Sequence, residues 1–504
     1  MRPGGAVPGH PELHSRQTRS SSYLQFLLLF AVALFLAHSP FFTLPYFWDE
    51  LGQFVPAALD IQRNGAWIPH STVPNVHPPG VMAWLAGIWT LFGYSIPATR
   101  AAMLSLGAVG ALFSFLLAVR LCGEFPGAPA FMAVVFLLLD PLFYTQSMMA
   151  QLDMPAMVGT VAALWLFFKE RHAWAALSCT ALVLAKETGI LLPLIFVVVL
   201  VRRREVREAA FYIAPVVVLA AWLLLLWRGT GHVLGDPGFA HYNVEYALHP
   251  VRVCVALIRR VYYLFLADFR WIGTLALLAT HRHWRLFWRP DWQIVLVFAI
   301  GHVLLVSLLG GAELERYLVP VLPILYIAMA AAFSVLPKLW RITGSACLAG
   351  GLITASFLNP PYPFPYENNL AMTDFVALHR EAAQELERSY AKETIYTAWP
   401  LTAALRRPEF GYVDHPLKVS ETSDLHASTL SRLNPGAVRV LVLYSRTWDP
   451  PWGVLQNPVI RNFLAKFYEY EPQMSAQQCK EVLGLTQVGR WSRRGQWVEL
   501  YARD

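Results

Sequence analysis

Long apolar runs separated by short basic turns dominate this chain, and they restrict it to one class of fold. Of its 504 residues, 56% are hydrophobic and only 14% charged, too little polarity for a soluble globular chain of this length. The basic residues gather between the apolar runs, at Arg120, in 169–172, 202–207 and 282–289, and in 338–341. Such clusters hold their turns on the cytoplasmic side, so the formal charge of +7 reports membrane topology and not nucleic-acid binding. The first run is longer than a signal-peptide core and lacks a small-x-small cleavage site, which reads as a retained anchor. Five scattered cysteines give neither a disulfide framework nor a cysteine zinc site.

Charge parity sets the number of crossings. Reading both 80–94 and 100–119 as spans sends the basic turn 169–172 outside, whereas reading 79–93 as a short helix at the outer interface keeps every basic turn inside. The predicted spans are 22–45, 100–120, 128–148, 154–169, 173–186, 188–201, 209–228, 262–280, 292–309, 316–335 and 342–358, about eleven in all. The expectation is a multi-pass α-helical protein of the cell (inner or plasma) membrane. Its cytoplasmic tail is 1–21, its transmembrane domain 22–358, and its first external loop 46–99 carries the interfacial helices. Pro360, Pro361, Pro363 and Pro365 predict a stiff linker. Beyond it, 359–504 reads as a small extracytoplasmic α/β domain with a helix at 369–390 and strands at 437–444, 496–501 and, more weakly, 393–398.

Polar residues at the outer face are the candidates for chemistry. Asp49 and Glu50 follow Trp48 at the end of the first span, His77 opens a Pro-Pro turn, and Asp153 precedes Met154-Pro155. Lys186 and Glu187 mark a glycine-containing break between two short spans, and Arg316-Tyr317 opens a late one. Each has a plain alternative: helix caps for the acids, a loop turn for His77, a compensating pair for Lys186 and Glu187, an interfacial anchor for Arg316. Asp268 and Arg270 are harder to dismiss, because a charge inside an apolar run costs a few kcal/mol unless paired or wetted. Acids and cations gathered at one face of a helical bundle suit a phosphate-bearing lipid, the cations holding phosphate and an acid handling a proton.

In order along the chain, FWDE (47–50), HPPG (77–80), ATR (98–100), QLDMPA (151–156), AKETGILLPL (185–194) and ERYLVPVLP (315–323) resemble the motifs of the class C glycosyltransferases of the protein O-mannosyltransferase and aminoarabinose transferase type. The resemblance covers residues 20–350. It implies a class C glycosyltransferase fold and transfer of a sugar, with inversion, from a polyprenyl-phosphate donor to an extracytoplasmic lipid, polysaccharide or protein. It also implies Asp49 as catalytic base, with Glu50 beside it as neighbour or acceptor contact, and Arg100, Lys186, Arg270 and Arg316 as phosphate ligands. His77, Asp153 and Tyr317 are carried over as substrate-side residues. Gly80 stands where leucine is usual, and His77 where aminoarabinose-type enzymes carry lysine. No cofactor is fixed; some relatives use a divalent cation, for which Asp49, Asp153 and His77 are the candidate ligands. The rival reading is an ion-coupled transporter or a glycan-lipid carrier without transferase activity; it is disfavoured by acids that lie in loops and by the lack of an inverted repeat.

Overall fold

The computed structural model describes residues 11–448 and 453–503, so the first ten residues of the predicted cytoplasmic tail lie outside it. Among the described residues five helices are long and apolar enough to cross a membrane: Ser22–Phe41, Ile96–Leu121, Val206–Thr230, Pro290–Leu308 and Glu315–Val335. A sixth is added if Pro129–Leu139 and Pro141–Met148 are taken together. The protein is thus a multi-pass membrane protein. Its first helix shows the pattern expected against lipid, with Leu24, Leu28, Val32 and Leu36 more than half exposed, an arrangement that water would penalise.

The predicted count of eleven is not reached by helix length. A helix stands at each predicted place, but Asp153–Phe168, His172–Ala185 and Leu191–Arg202 have only 16, 14 and 12 residues, short of the ~20 that cross hydrocarbon unaided. The first of them is largely buried against Ile96–Leu121 and His172–Ala185.

Two expected spans are broken. The 128–148 stretch bends by 68° at Asp140, whose carboxylate accepts from the Phe143 N–H at 2.9 Å and caps the second half, with Pro141 at its first position. Proline there needs no N–H and starts a new helix. The 262–280 stretch divides into Pro250–Phe265 and Trp271–Ala279, with Asp268 (φ 52°) and Phe269 (φ 63°) in the left-handed region between them. The charges flagged inside this apolar run mark that break. Gly80–Phe92 is a separate short helix, close to the predicted bounds.

The C-terminal part is a five-stranded mixed sheet in the order β2-β1-β3-β5-β4. Its strands are β1 (Ile395–Ala398), β2 (Val419–Thr422), β3 (Val440–Tyr444), β4 (Thr486–Arg493) and β5 (Gln496–Ala502). β1 pairs in parallel with β2 and β3, while β5 pairs antiparallel with β3 and β4. β3 is buried along its whole length, which suits its unbroken Val-Leu-Val-Leu run. The helix Ala371–Ser389 packs on β4 and β5. β2 and β4 were not foreseen, because their half-exposed residues lack an apolar run.

The proline segment is no free spacer. Glu367, Asn368 and Asn369 just beyond it are buried, and the Glu367 carbonyl accepts from Thr145 Oγ1 at 2.6 Å. Tyr412 donates its hydroxyl to the Tyr46 carbonyl at 2.7 Å, and Tyr94 to the Glu409 carbonyl at 2.9 Å. The sheet is therefore seated directly on the loop that follows the first helix.

Candidate active site

Asp49 and Glu50 are adjacent but point to different places. Trp48 before them sits in the left-handed region (φ 47°), costly for a residue with a Cβ, and a π-helical turn, Glu50–Phe54, follows. Turns of this kind recur at functional sites. Glu50 is turned into the core and fully buried, where it accepts from the Phe47 and Ala150 N–H groups at 2.8 and 2.7 Å and pairs with Arg100 at 2.5 Å. Asp49 is turned into a cavity of about 910 Å³.

That cavity is lined by aromatic residues, including Phe47, Trp48, Phe239, Tyr242, Tyr366 and Trp399, and by a charged cluster. At the centre of that cluster Arg316 donates to Asp49, faces Asp153 at 3.4 Å through Nε, and donates to Glu367 at 3.2 Å. Lys186 Nζ lies 2.5 Å from the other Asp153 oxygen and 4.1 Å from the Tyr317 ring centroid. His77 Nδ1 is 2.8 Å from Glu187. Lys186 reaches this point because the helix ends at Ala185 and Lys186 itself is extended before a single 3-10 turn. Irregular backbone of this kind is tolerated at membrane depth only where it lines a cavity or lies within protein. Gly80 has a local reason: a Cβ there would come within 2.6 Å of the Leu184 carbonyl oxygen.

Of the sequence candidates, the structure gathers Asp49, His77, Asp153, Lys186, Arg316 and Tyr317 around one cavity. It does not bring Glu50, Arg100 or Arg270 there. Arg100 is fully buried and spent on Glu50 and on the carbonyls of Leu44, Pro45 and Met148. Arg270 is likewise buried, between Asp140, Tyr326, Asp268 and the Tyr263 carbonyl. Placing these two at the phosphate is therefore corrected: a guanidinium in an apolar bundle is held by the nearest acid and by free carbonyls at helix breaks, and each has found them.

Glu367 and Arg446 line the cavity and were missed by the sequence reading. Glu367 accepts from Gln151 as well as Arg316, and its other oxygen has no hydrogen-bond partner. Burial raises its carboxyl to about 7, with the Asp49 charge adding to the rise and Arg316 opposing it. The only sequence signal was its place just after the proline segment. Arg259, also at the cavity, pairs with Glu315 at 2.5 Å.

Among the described residues no three His, Cys, Asp or Glu side chains are grouped to hold a metal ion. Of the candidate ligands, Asp49 is engaged by Arg316, Asp153 by Lys186 and Arg316, and His77 by Glu187, so they do not fit a metal centre as arranged.

No protein family and no curated protein matches the sequence. Similarity appears in three dimensions. ArnT from Cupriavidus metallidurans, in its apo state, overlaps with a TM-score of 0.56 over 96% of this chain and 98% of that one at 14% identity. The same protein bound to undecaprenyl phosphate overlaps at 0.55, over 95% and 98%, also at 14% identity. The oligosaccharyltransferase AglB from Archaeoglobus fulgidus, in complex with an inhibitory peptide and a dolichol-phosphate, gives 0.49 over 84% and 69% at 11% identity. The near end-to-end overlap with ArnT defines the class: this chain has a class C glycosyltransferase fold.

Proposed function

We propose that the protein is an integral-membrane glycosyltransferase that moves a sugar from a polyprenyl-phosphate donor to an extracytoplasmic acceptor. The observation that supports it most is the Asp49–Arg316 pair at the wall of a large cavity lined by aromatic and charged residues, in a chain with the ArnT fold.

The chemistry follows from what the side chains can do. An acceptor hydroxyl or amine attacks the anomeric carbon, the carbon–oxygen bond to phosphate breaks, and polyprenyl phosphate leaves with the bonding electrons. Asp49 takes the acceptor's proton. Arg316 and Lys186 stabilise the departing phosphate. Arg316 is shared among three carboxylates. An arriving phosphate competes for that guanidinium and releases Asp49 as a free base, so donor binding prepares the catalytic group. Attack from the face opposite the phosphate inverts the anomeric centre.

The same reading puts the N-terminus in the cytoplasm and the sheet outside, with the short helices completing about eleven crossings and 359–504 forming the outer domain. The test is sugar transfer by the purified protein in proteoliposomes, from a panel of polyprenyl-phosphate sugars to envelope lipid, glycan and protein fractions. Failure with every donor, beside intact binding of a transported solute, defeats the reading in favour of a carrier.

A further inference from the structure

We propose that the C-terminal sheet belongs to the site itself, and that Arg446 binds a phosphate group carried by a substrate. This rests on reading the cavity as a site of transfer from a lipid-linked donor.

The placement comes from the sheet. β1 and β3 run parallel, so their carboxyl ends share an edge, and that edge faces the cavity: Trp399 follows β1, Arg446 follows β3, and both line it. The crevice outside the carboxyl ends of parallel strands is where open sheets of this kind take ligands. Arg446 is held by a rigid support, because β3 is wholly buried. Ser445 beside it is fixed by the Trp497 N–H at 3.0 Å and the Tyr366 hydroxyl at 3.1 Å. The guanidinium lies 5.7 Å from the Trp48 ring centroid, one residue from Asp49.

Charge pairing separates Arg446 from the other cavity cations. Arg316, Lys186, His77 and Arg259 each have a carboxylate within 4 Å. Among the described residues Arg446 has none; its close neighbour is an indole face, which attracts a cation without neutralising it. A half-buried guanidinium with no carboxylate partner among the described residues is suited to a phosphate, which it engages with two parallel N–H groups. The phosphate has two sources to distinguish, the lipid donor and a phosphorylated acceptor.

The test uses full-length protein in nanodiscs, with Trp fluorescence following titrations of undecaprenyl phosphate and, separately, of inorganic phosphate. Wild type is compared with Arg446→Ala and Arg446→Lys. Arg446→Ala should weaken undecaprenyl phosphate binding by about one to two decades and flatten its salt dependence. Arg446→Lys should keep part of the affinity, and melting temperatures should match, since no ion pair among the described residues is lost. A loss confined to inorganic phosphate supports the same chemistry with the anion on the acceptor side. Unchanged affinity of Arg446→Ala for both probes overturns the proposal. A wild type that ignores undecaprenyl phosphate yet loses inorganic phosphate binding on Arg446→Ala defeats the lipid-donor reading while leaving the anion site standing.

Discussion

Arg316 donates to the carboxylate of Asp49 across 267 residues of chain, and the same guanidinium faces Asp153 and Glu367. One side chain thus ties together the loop that follows the first helix, the start of the Asp153–Phe168 helix and the segment leading into the sheet. Three carboxylates are set against two cations, Arg316 and Lys186, so the group carries one acid too many for full pairing. The excess falls on Glu367, whose buried carboxyl is raised toward neutrality.

That rise has a measurable pH signature. Glu367 binds its proton more tightly in the folded chain than at its ordinary value of 4.5. Its contribution to stability therefore declines as pH climbs from about 4.5 to about 7 and is level above. Its protonation also sets how much of Arg316 is available to Asp49 and the donor. Wild-type transfer should show a step centred near pH 7, and Glu367→Gln should abolish that step without abolishing transfer. An identical pH profile for the two proteins would remove Glu367 from the charge relay.

Glu50 and Arg100 should behave as a structural pair. Removing one partner of a buried ion pair leaves a bare charge and costs about 3–5 kcal/mol. Glu50→Gln and Arg100→Met should each lower the melting temperature and the yield of folded protein sharply. The double variant, which removes both charges, should recover much of that loss. Donor KM in whatever folded protein is obtained should stay near wild type; a tenfold rise in Arg100→Met would return that residue to the phosphate.

Much of this was legible in the sequence because the membrane makes charge expensive. Asp49, His77, Asp153, Lys186 and Arg316 stood out as polar residues at the ends of apolar runs, and they meet at one cavity. The same logic misplaced Arg100 and Arg270, since a cation at the start of a span or inside one looks the same in sequence whether it serves a ligand or an internal acid such as Asp140, 130 positions from Arg270. Helix breaks at Asp140 and at 266–270 were invisible to hydropathy averaged along a span. Glu367 and Arg446 lie in the polar C-terminal part, where a charged residue is unremarkable until the sheet is seated. Tertiary placement alone singles them out.

The seating of the sheet can be loosened at one atom. A Cβ on Gly52 would lie 1.9 Å from Trp399 Nε1, inside any permissible contact. Gly52→Ala must push the indole away from the cavity or shift the π-helical turn that carries Asp49, an overpacking cost of about 1–3 kcal/mol. Reduced melting temperature and weakened transfer are expected together. Pairing Gly52→Ala with Trp399→Ala should restore stability, and failure to do so would place the strain elsewhere.

Topology is open to a direct test. A reporter active only outside the cytoplasm should be active when fused after Asp504 and when fused near Gly93, because Gly80–Phe92 is expected to lie at the outer interface without crossing. Inactivity near Gly93 would convert that helix into a span, whereas activity near Gly93 with inactivity after Asp504 would leave it at the interface and overturn the count of later crossings.

Asp49, and not its neighbour, is the expected base. It alone of the adjacent pair lines the cavity, whereas Glu50 is closed off by two backbone N–H groups and Arg100. Asp49→Asn preserves shape and one carbonyl oxygen for Arg316 but cannot accept the acceptor's proton, so single-turnover transfer should fall by about two to four decades. Folding should survive, because Arg316 keeps Asp153 and Glu367. Undecaprenyl phosphate binding should hold or tighten, since the guanidinium is less strongly claimed by the protein. The informative comparison is therefore rate against affinity in the same preparation. A lost rate with retained lipid binding fits a base, while loss of both in proportion would recast Asp49 as a residue that merely orients Arg316. Near-wild-type transfer by Asp49→Asn at matched thermal stability would end the assignment.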